Sequence, residues 1–259
     1  MTKLEGRWIL VTGASAGIGE ACSRRFAESG ANLILWARRL DRLEILATEL
    51  RDRDGGEVEI RQVDVRDRDR VIREAADLVE SGRVPDVLLN NAGLASGFDS
   101  IHEGDYADWD RMIDTNVKGL LNVTRELLPH MVARGTGHVV NIGSTAGHQV
   151  YPKGNVYNAS KFAVKALTEG TNLDVAGTKV RVSSVDPGFV QTEFSRVRFH
   201  GDDERAEGVY EGFAPLTADD VADCVLFVVT RPAHVNVFDM ILLPTAQRNV
   251  YVLDRDEPA

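Results

Sequence analysis

The 259-residue chain is expected to form one α/β domain spanning residues 1–259, a doubly wound parallel sheet of about seven strands with helices on both faces. Short apolar runs of strand length recur along the whole chain. Amphipathic stretches of helical length separate one run from the next, and strands joined through helices imply right-handed crossovers and parallel pairing. No Pro/Gly/Ser-rich tract, internal repeat or shift of composition marks a boundary within it.

The first strand is read at Arg7–Thr12, where Trp8-Ile9-Leu10-Val11 is apolar at every position, as in a strand covered on both faces. Strands at Asn32–Ala37, Val58–Val63 and Val87–Asn91 follow, with helices Ile18–Ser29, Leu40–Arg51 and Asp67–Ser81 between them. The second half continues as helix Asp108–Arg134, strand His138–Gly143, helix Asn155–Ala176, strand Lys179–Val185, helix Ala218–Arg231 and strand Val235–Leu242. In Asn155–Ala176 the residues Phe162, Val164, Ala166, Leu167, Leu173 and Val175 occupy more than one face. One face serves the sheet, so a second is expected to be buried against another subunit.

Composition narrows the function. An apolar content of 43% supplies a sizeable core, while a formal charge of −10 and a pI near 5.1 disfavour nucleic acid and anionic membranes as partners. The N-terminal apolar run is too short for a signal sequence or a membrane span, which makes the cytoplasm the default location. Cys22 and Cys224 fall in apolar-periodic stretches and read as buried thiols. The six histidines have no paired ligand spacing, so no metal is expected. Mixed-charge runs such as Arg51-Asp52-Arg53-Asp54 and Arg66-Asp67-Arg68-Asp69-Arg70 read as solvated helix ends and loops.

Two local patterns carry chemistry. In Thr12-Gly13-Ala14-Ser15-Ala16-Gly17-Ile18-Gly19, the glycines Gly13, Gly17 and Gly19 stand between a strand and a helix. There they permit a tight turn and close approach of backbone to a pyrophosphate, and the helix starting near Ile18 offers its free N–H groups. At the end of the second strand, Ala37 stands where an NAD site places an acid for the ribose hydroxyls. Arg38 follows and is assigned to a 2′-phosphate, with Arg39 and Ser15 as helpers, so the expected cofactor is NADP(H).

The second pattern is Tyr157-Asn158-Ala159-Ser160-Lys161, downstream of a strand that leads into Ser144. Residues i and i+4 share a helix face, so the Lys161 ammonium can favour the Tyr157 phenolate and draw its pKa towards neutrality for acid–base work.

With Asn90-Asn91-Ala92-Gly93, Asn116 and Asp186-Pro187-Gly188 followed by Thr192 added, the chain resembles the short-chain dehydrogenase/reductase family over nearly its whole length. The resemblance implies that Tyr157 is the proton donor or acceptor and that Ser144 holds the substrate oxygen. Lys161 would bind the nicotinamide ribose and tune Tyr157, and Asn116 would hold a water continuing the proton relay. Asn90, Ala92 and Gly93 would line the adenosine and ribose side. Asp64 and Val65 would contact adenine. Pro187, Gly188, Val190 and Thr192 would flank the nicotinamide. In the family, the two long helices pair across two-fold axes, which implies a homotetramer.

Further segments, including Asn141 to Gly147, Thr192 to Phe199 and Arg231 to Asn236, are similar to the branch of NADP-dependent serine and 3-hydroxy acid dehydrogenases. A small carboxylate substrate also has a physical rationale. Arg196 and Arg198 lie in the segment expected to cover the nicotinamide, and Lys153 precedes Tyr157. Against this, the same cations can pair with Glu193, Asp202, Asp203 and Glu204 at the surface. The same chemistry on an unrelated ketone or secondary alcohol, and a non-catalytic NADPH-binding regulator, are the alternatives. An intact Ser144, Tyr157 and Lys161 argue against the regulator.

Overall fold

A computed structural model describes residues 4–54 and 56–255, with the side chains of residues 53 and 54 left aside. Its centre is a seven-stranded, all-parallel sheet in the order β3-β2-β1-β4-β5-β6-β7. The strands are β1 (Trp8–Thr12), β2 (Asn32–Ala37), β3 (Val58–Gln62), β4 (Val87–Asn90), β5 (Gly137–Ile142), β6 (Val180–Pro187) and β7 (Asp239–Leu242). Alternate strand residues divide between two apolar layers. Ile9, Val11, Leu33 and Leu35 pack with α1 (Gly17–Glu28), α2 (Leu40–Asp54) and α9 (Ala218–Val229). Leu10, Ile34, Leu88 and Val139 pack with α3 (Arg68–Glu80) and α5 (Leu120–Arg134) on the opposite face.

Local chemistry sets the helix limits. Asp67 caps α3 by accepting from the Arg70 N–H, and Thr217 with Asp220 forms a reciprocal cap on α9. Gly135, at φ 73°, ends α5 in the left-handed conformation that glycine adopts at little cost.

Three elements depart from the sequence reading. The expected single helix over Asp108–Arg134 is α4 (Tyr106–Ile113), a π-helical segment over Asp114–Gly119 and then α5. Here hydrophobic periodicity misses the change of winding, because the apolar stripe continues through it. The last strand begins at Asp239 instead of Val235. Before it, the Asn236 side chain takes the place of backbone pairing, donating to Val182 O at 3.0 Å and accepting from Ser183 Oγ at 3.2 Å. After β6 the chain forms two short helices not foreseen, α7 (Phe194–Arg198) and α8 (Asp203–Gly208). Helix α6 (Asn155–Asp174) lies beside β6 and carries the Tyr–Lys pair.

The described tail beyond Pro244 lies against its own chain. Gln247 is buried, accepts from the Phe189 N–H at 3.1 Å and rests on Gly188. The Tyr251 hydroxyl donates to Val150 O, and Arg255 reaches the carbonyls of Val209 and Glu211.

Candidate active site

The strand order reverses at β1, between β2 and β4, and the crevice at the carboxyl ends of these strands is where a doubly wound sheet binds ligands. A groove of about 310 Å³ runs there from Arg38 and Arg39 to Ser144 and Tyr157. Its floor is the turn from β1 into α1. Gly13, at φ 65°, lies so close to the β4 end that a Cβ would stand 3.0 Å from Ala92 Cα. A Cβ on Gly19 would collide with the Asn91 amide, which ties the turn down by donating to Thr12 O at 2.9 Å and Gly13 O at 3.2 Å. These contacts explain both glycines by backbone approach.

The groove gathers Gly13, Ser15, Gly17, Ile18, Arg38, Arg39, Asp64, Val65, Ala92, Gly93, Ser144, Tyr157, Lys161, Pro187, Gly188, Val190 and Thr192 from every part of the chain. Asn90 is placed elsewhere. Strand alternation points it, like Leu88, to the α5 side, where its amide donates to Thr124 Oγ1 at 3.0 Å and Asn141 Oδ1 at 2.9 Å. Asn91 lines the groove instead. Counting parity along β4 from Leu88 would have separated the two asparagines.

At the far end Ala37 is buried and offers no carboxylate, and Arg38 is exposed. The Arg38 guanidinium makes no hydrogen bond or ion pair among the described residues, whereas Arg39 is engaged on both sides. Arg39 Nε donates to Ser15 Oγ at 3.3 Å and its Nη1 to Glu193 Oε2 at 3.0 Å. Arg42 holds the other Glu193 oxygen at 2.8 Å. Positive charge without a competing acid at residue 37 fits the 2′-phosphate of NADP.

At the near end, Ser144 and Tyr157 line the groove together, and Ser144 Oγ donates to Pro187 O at 3.4 Å and accepts from the Ala146 N–H at 3.1 Å. Lys161 is buried, with Nζ 6.0 Å from the Tyr157 ring centre and donating to Ile142 O at 2.9 Å. Tyr157 departs from the sequence expectation. Burial, with Tyr151 adding to it, pushes its pKa up instead of towards neutrality, against the pull of Ser144 and Arg198. The reason is that desolvation of a phenolate outweighs the charges around it in the protein alone, where the Lys161 ammonium is turned to a carbonyl. Lys161 is itself pushed down to about 8 by burial.

Asn116 sits in the π-helical segment and does not line the groove. Its Oδ1 accepts from the Leu94 N–H at 2.8 Å, and its Nδ2 donates to Leu94 O at 2.8 Å and to Ser160 Oγ at 2.9 Å, next to Lys161. The wide π turn is what carries this amide to the β4 loop.

The three candidate substrate cations separate. Arg196 is exposed and paired with Asp203 at 2.8 Å. Lys153 is exposed, with φ 63°, on a small recess behind Tyr157. Arg198 lies among aromatic rings, 4.6 Å from Phe98, 5.5 Å from Tyr151 and 5.6 Å from Tyr157. It donates to Tyr151 Oη at 3.0 Å, while its Nε is buried with no partner among the described residues. Phe194 stands edge-on to Tyr157 at 5.5 Å. The sequence reading missed Phe98, Tyr151 and Phe194, which lie outside any periodic stretch and had no signal beyond aromatic character.

A doubly wound fold with this Ser–Tyr–Lys site defines the short-chain dehydrogenases. The chain belongs to that family, whose short chain dehydrogenase profile matches residues 7–203. It is 47% identical, over 92% of its length and 95% of the relative's, to the NADP-dependent 3-hydroxy acid dehydrogenase of Salmonella typhi. It is 44% identical to sulfoacetaldehyde reductase 2 of Chromohalobacter salexigens, over 96% of this chain and 98% of that protein. Among solved structures, the closed form of serine dehydrogenase complexed with NADP+ superposes with a TM-score of 0.89 at 44% identity, covering 96% of this chain and all (100%) of the other.

Proposed function

We infer that this protein is an NADP-dependent oxidoreductase that transfers a hydride between NADP(H) and the 3-position of a small 3-hydroxy acid or of serine, or reduces the matching semialdehyde. The observation that carries this reading is the convergence of Ser144, Tyr157 and Lys161 at one end of a groove whose other end holds Arg38. When bound, the nicotinamide supplies or accepts the hydride. Ser144 orients the substrate oxygen, and Tyr157, on the same end of the groove, gives that oxygen its proton in reduction and removes it in oxidation. Lys161 supplies positive charge beside the phenol and a donor for the ribose. Asn116, one hydrogen bond from the residue before Lys161, supports the path by which the proton is replaced. Gly13, Gly17, Gly19 and Ser15 hold the pyrophosphate side, Asp64 and Val65 the adenine, and Pro187 to Thr192 the nicotinamide.

For the substrate's acid group the proposed partner is Arg198, because its buried Nε is free to donate and its guanidinium lies beside the Tyr157 ring. A guanidinium fork accepts a carboxylate or a sulfonate by the same charge-assisted bonds. We read the chain as one domain over residues 1–259, on the ground that a single seven-stranded sheet takes its strands from Trp8 to Leu242, and among the described residues no helix is long and apolar enough to cross a membrane. A homotetramer is proposed from α6. Val164 faces the core, while Phe162 and Leu173 on the same helix are 39% and 73% exposed, leaving an apolar surface for a second copy.

The deciding experiment is a substrate panel followed at the nicotinamide absorbance with NADP and with NAD. A 3-hydroxy acid should be oxidised with NADP and its methyl ester far more slowly. Equal rates for acid and ester would favour the alternative substrates, an unrelated ketone or secondary alcohol.

A further inference from the structure

Asp186 is a buried carboxylate, 2% exposed, at the carboxyl end of β6, and the proton path above does not use it. Its two oxygens are held separately. Ser184 Oγ donates to Oδ1, and His148, just beyond the turn that follows Ser144, meets Oδ2 through Nε2. The other imidazole nitrogen fixes the direction of that bond. Lys165 Nζ lies 3.2 Å from His148 Nδ1. An ammonium only donates, so Nδ1 accepts, the imidazole proton sits on Nε2, and His148 is a neutral donor to Asp186. Burial pushes the Asp186 carboxyl up, towards its neutral acid, while the bonds from Ser184 and His148 pull it back towards the anion, and a neutral His148 leaves that anion's charge uncancelled.

A buried opposite charge stands across one peptide. Lys161 Nζ donates to Ile142 O, while Asp186 Oδ1 lies against the Cα of Gly143, where any Cβ would collide with it. The other groups facing Asp186 are Asp239 from β7, exposed and of like charge, and Tyr157 from α6. We propose that Asp186 is a positioning residue for the reaction: held as an anion by His148 and Ser184, it supplies the buried negative charge that keeps Lys161 an ammonium ion beside Tyr157. Burial alone drives Lys161 towards its neutral amine, and Asp186 is the group that opposes it. A neutral Lys161 would leave the Tyr157 phenolate without its cation.

This proposal rests on the Tyr157–Lys161 reading above, and its test separates the two. The chain has six lysines, so 13C-labelled lysine gives few signals, and that of Lys161 is the one lost in Lys161→Arg. In the full chain without cofactor the Lys161 midpoint should lie near about 8. In Asp186→Asn it should fall by about one pH unit or more, the scale of losing one close opposite charge. An unmoved or raised midpoint in a folded Asp186→Asn protein overturns the proposal. Should that variant not fold, the wild type still decides: labelled aspartate must show Asp186 ionised at pH 7, and a protonated Asp186 overturns it equally. With cofactor and substrate, the alkaline limb of the kcat profile should move to lower pH in the variant. A uniform loss of kcat with an unmoved limb would mark a merely structural role and also overturn it. If the wild type transfers no hydride at all, the catalytic reading fails, while the lysine titration still reports whether Asp186 and Lys161 are coupled.

Discussion

Arg39 Nη1 donates to Glu193 Oε2 at 3.0 Å, joining the phosphate end of the groove to the segment that covers its other end. Arg39 is thereby engaged within the chain, whereas the Arg38 guanidinium beside it has no hydrogen bond or ion pair among the described residues. Arg38→Ala should therefore weaken NADP binding by about 1.5–3 kcal/mol, the range for hydrogen bonds to a charged group, and change NAD binding little. Binding titrations of both cofactors check this. Equal losses for the two, or a wild type that prefers NAD, would refute the phosphate assignment.

Tyr157→Phe removes the phenol hydroxyl that lines the groove with Ser144 and is proposed to give up or take the proton. Turnover should fall at least about 10²-fold, the usual range for a general acid or base, while NADPH still binds. Fluorescence titration and steady-state rates separate the two effects. Near-normal turnover would take Tyr157 out of the mechanism.

Arg198 and Arg196 are two residues apart and predicted to behave differently. Arg198→Met should raise KM for a 3-hydroxy acid by about 10–100-fold, corresponding to roughly 1.5–3 kcal/mol, and leave the methyl ester unaffected. Arg196→Ala removes a surface ion pair and should leave both unchanged. A reversed pattern between the two variants would move the acid site to Arg196.

Acid stability should depend on His138, buried in β5 with Nε2 2.8 Å from Ser183 Oγ and Nδ1 without a partner among the described residues. Burial, then Arg181, pushes its pKa down from 6.5 to about 3. Below pH 6.5 the unfolded chain takes up a proton that the folded chain refuses, so its contribution, full above 6.5, is lost as pH falls towards 3. Between pH 6.5 and 5 that amounts to about 2 kcal/mol, from roughly 1.4 kcal/mol per unit. Urea unfolding at both pH values should show His138→Gln losing less stability than the wild type over this interval. An identical loss in both proteins would contradict it.

Light scattering at micromolar concentration should report about four times the chain mass of 28.4 kDa. Leu173→Asp, on the exposed face of α6, should lower that mass. A wild-type mass of one chain would end the proposal of an apolar interface.

The sequence by itself determined the sheet, because Ile9, Leu10, Val11, Leu33, Ile34 and Leu35 are apolar on both alternating faces and only a strand covered on both sides buries them all. It also determined the turn at Gly13 to Gly19 and the Tyr157–Lys161 pair, since each is a short-range pattern whose spacing already states its geometry. Tertiary structure decided what depends on residues far apart in the chain. It turned Asn90 to α5 and Asn91 to the groove, engaged Arg39 but not Arg38, and set Arg198 among Phe98, Tyr151 and Tyr157 while leaving Arg196 outside. It pushed the Tyr157 phenol up where the local spacing with Lys161 implied the reverse. The physical reason is common to all of these: periodicity records which face of an element is apolar, whereas the partner of a polar side chain and the water it loses are fixed only when distant segments meet.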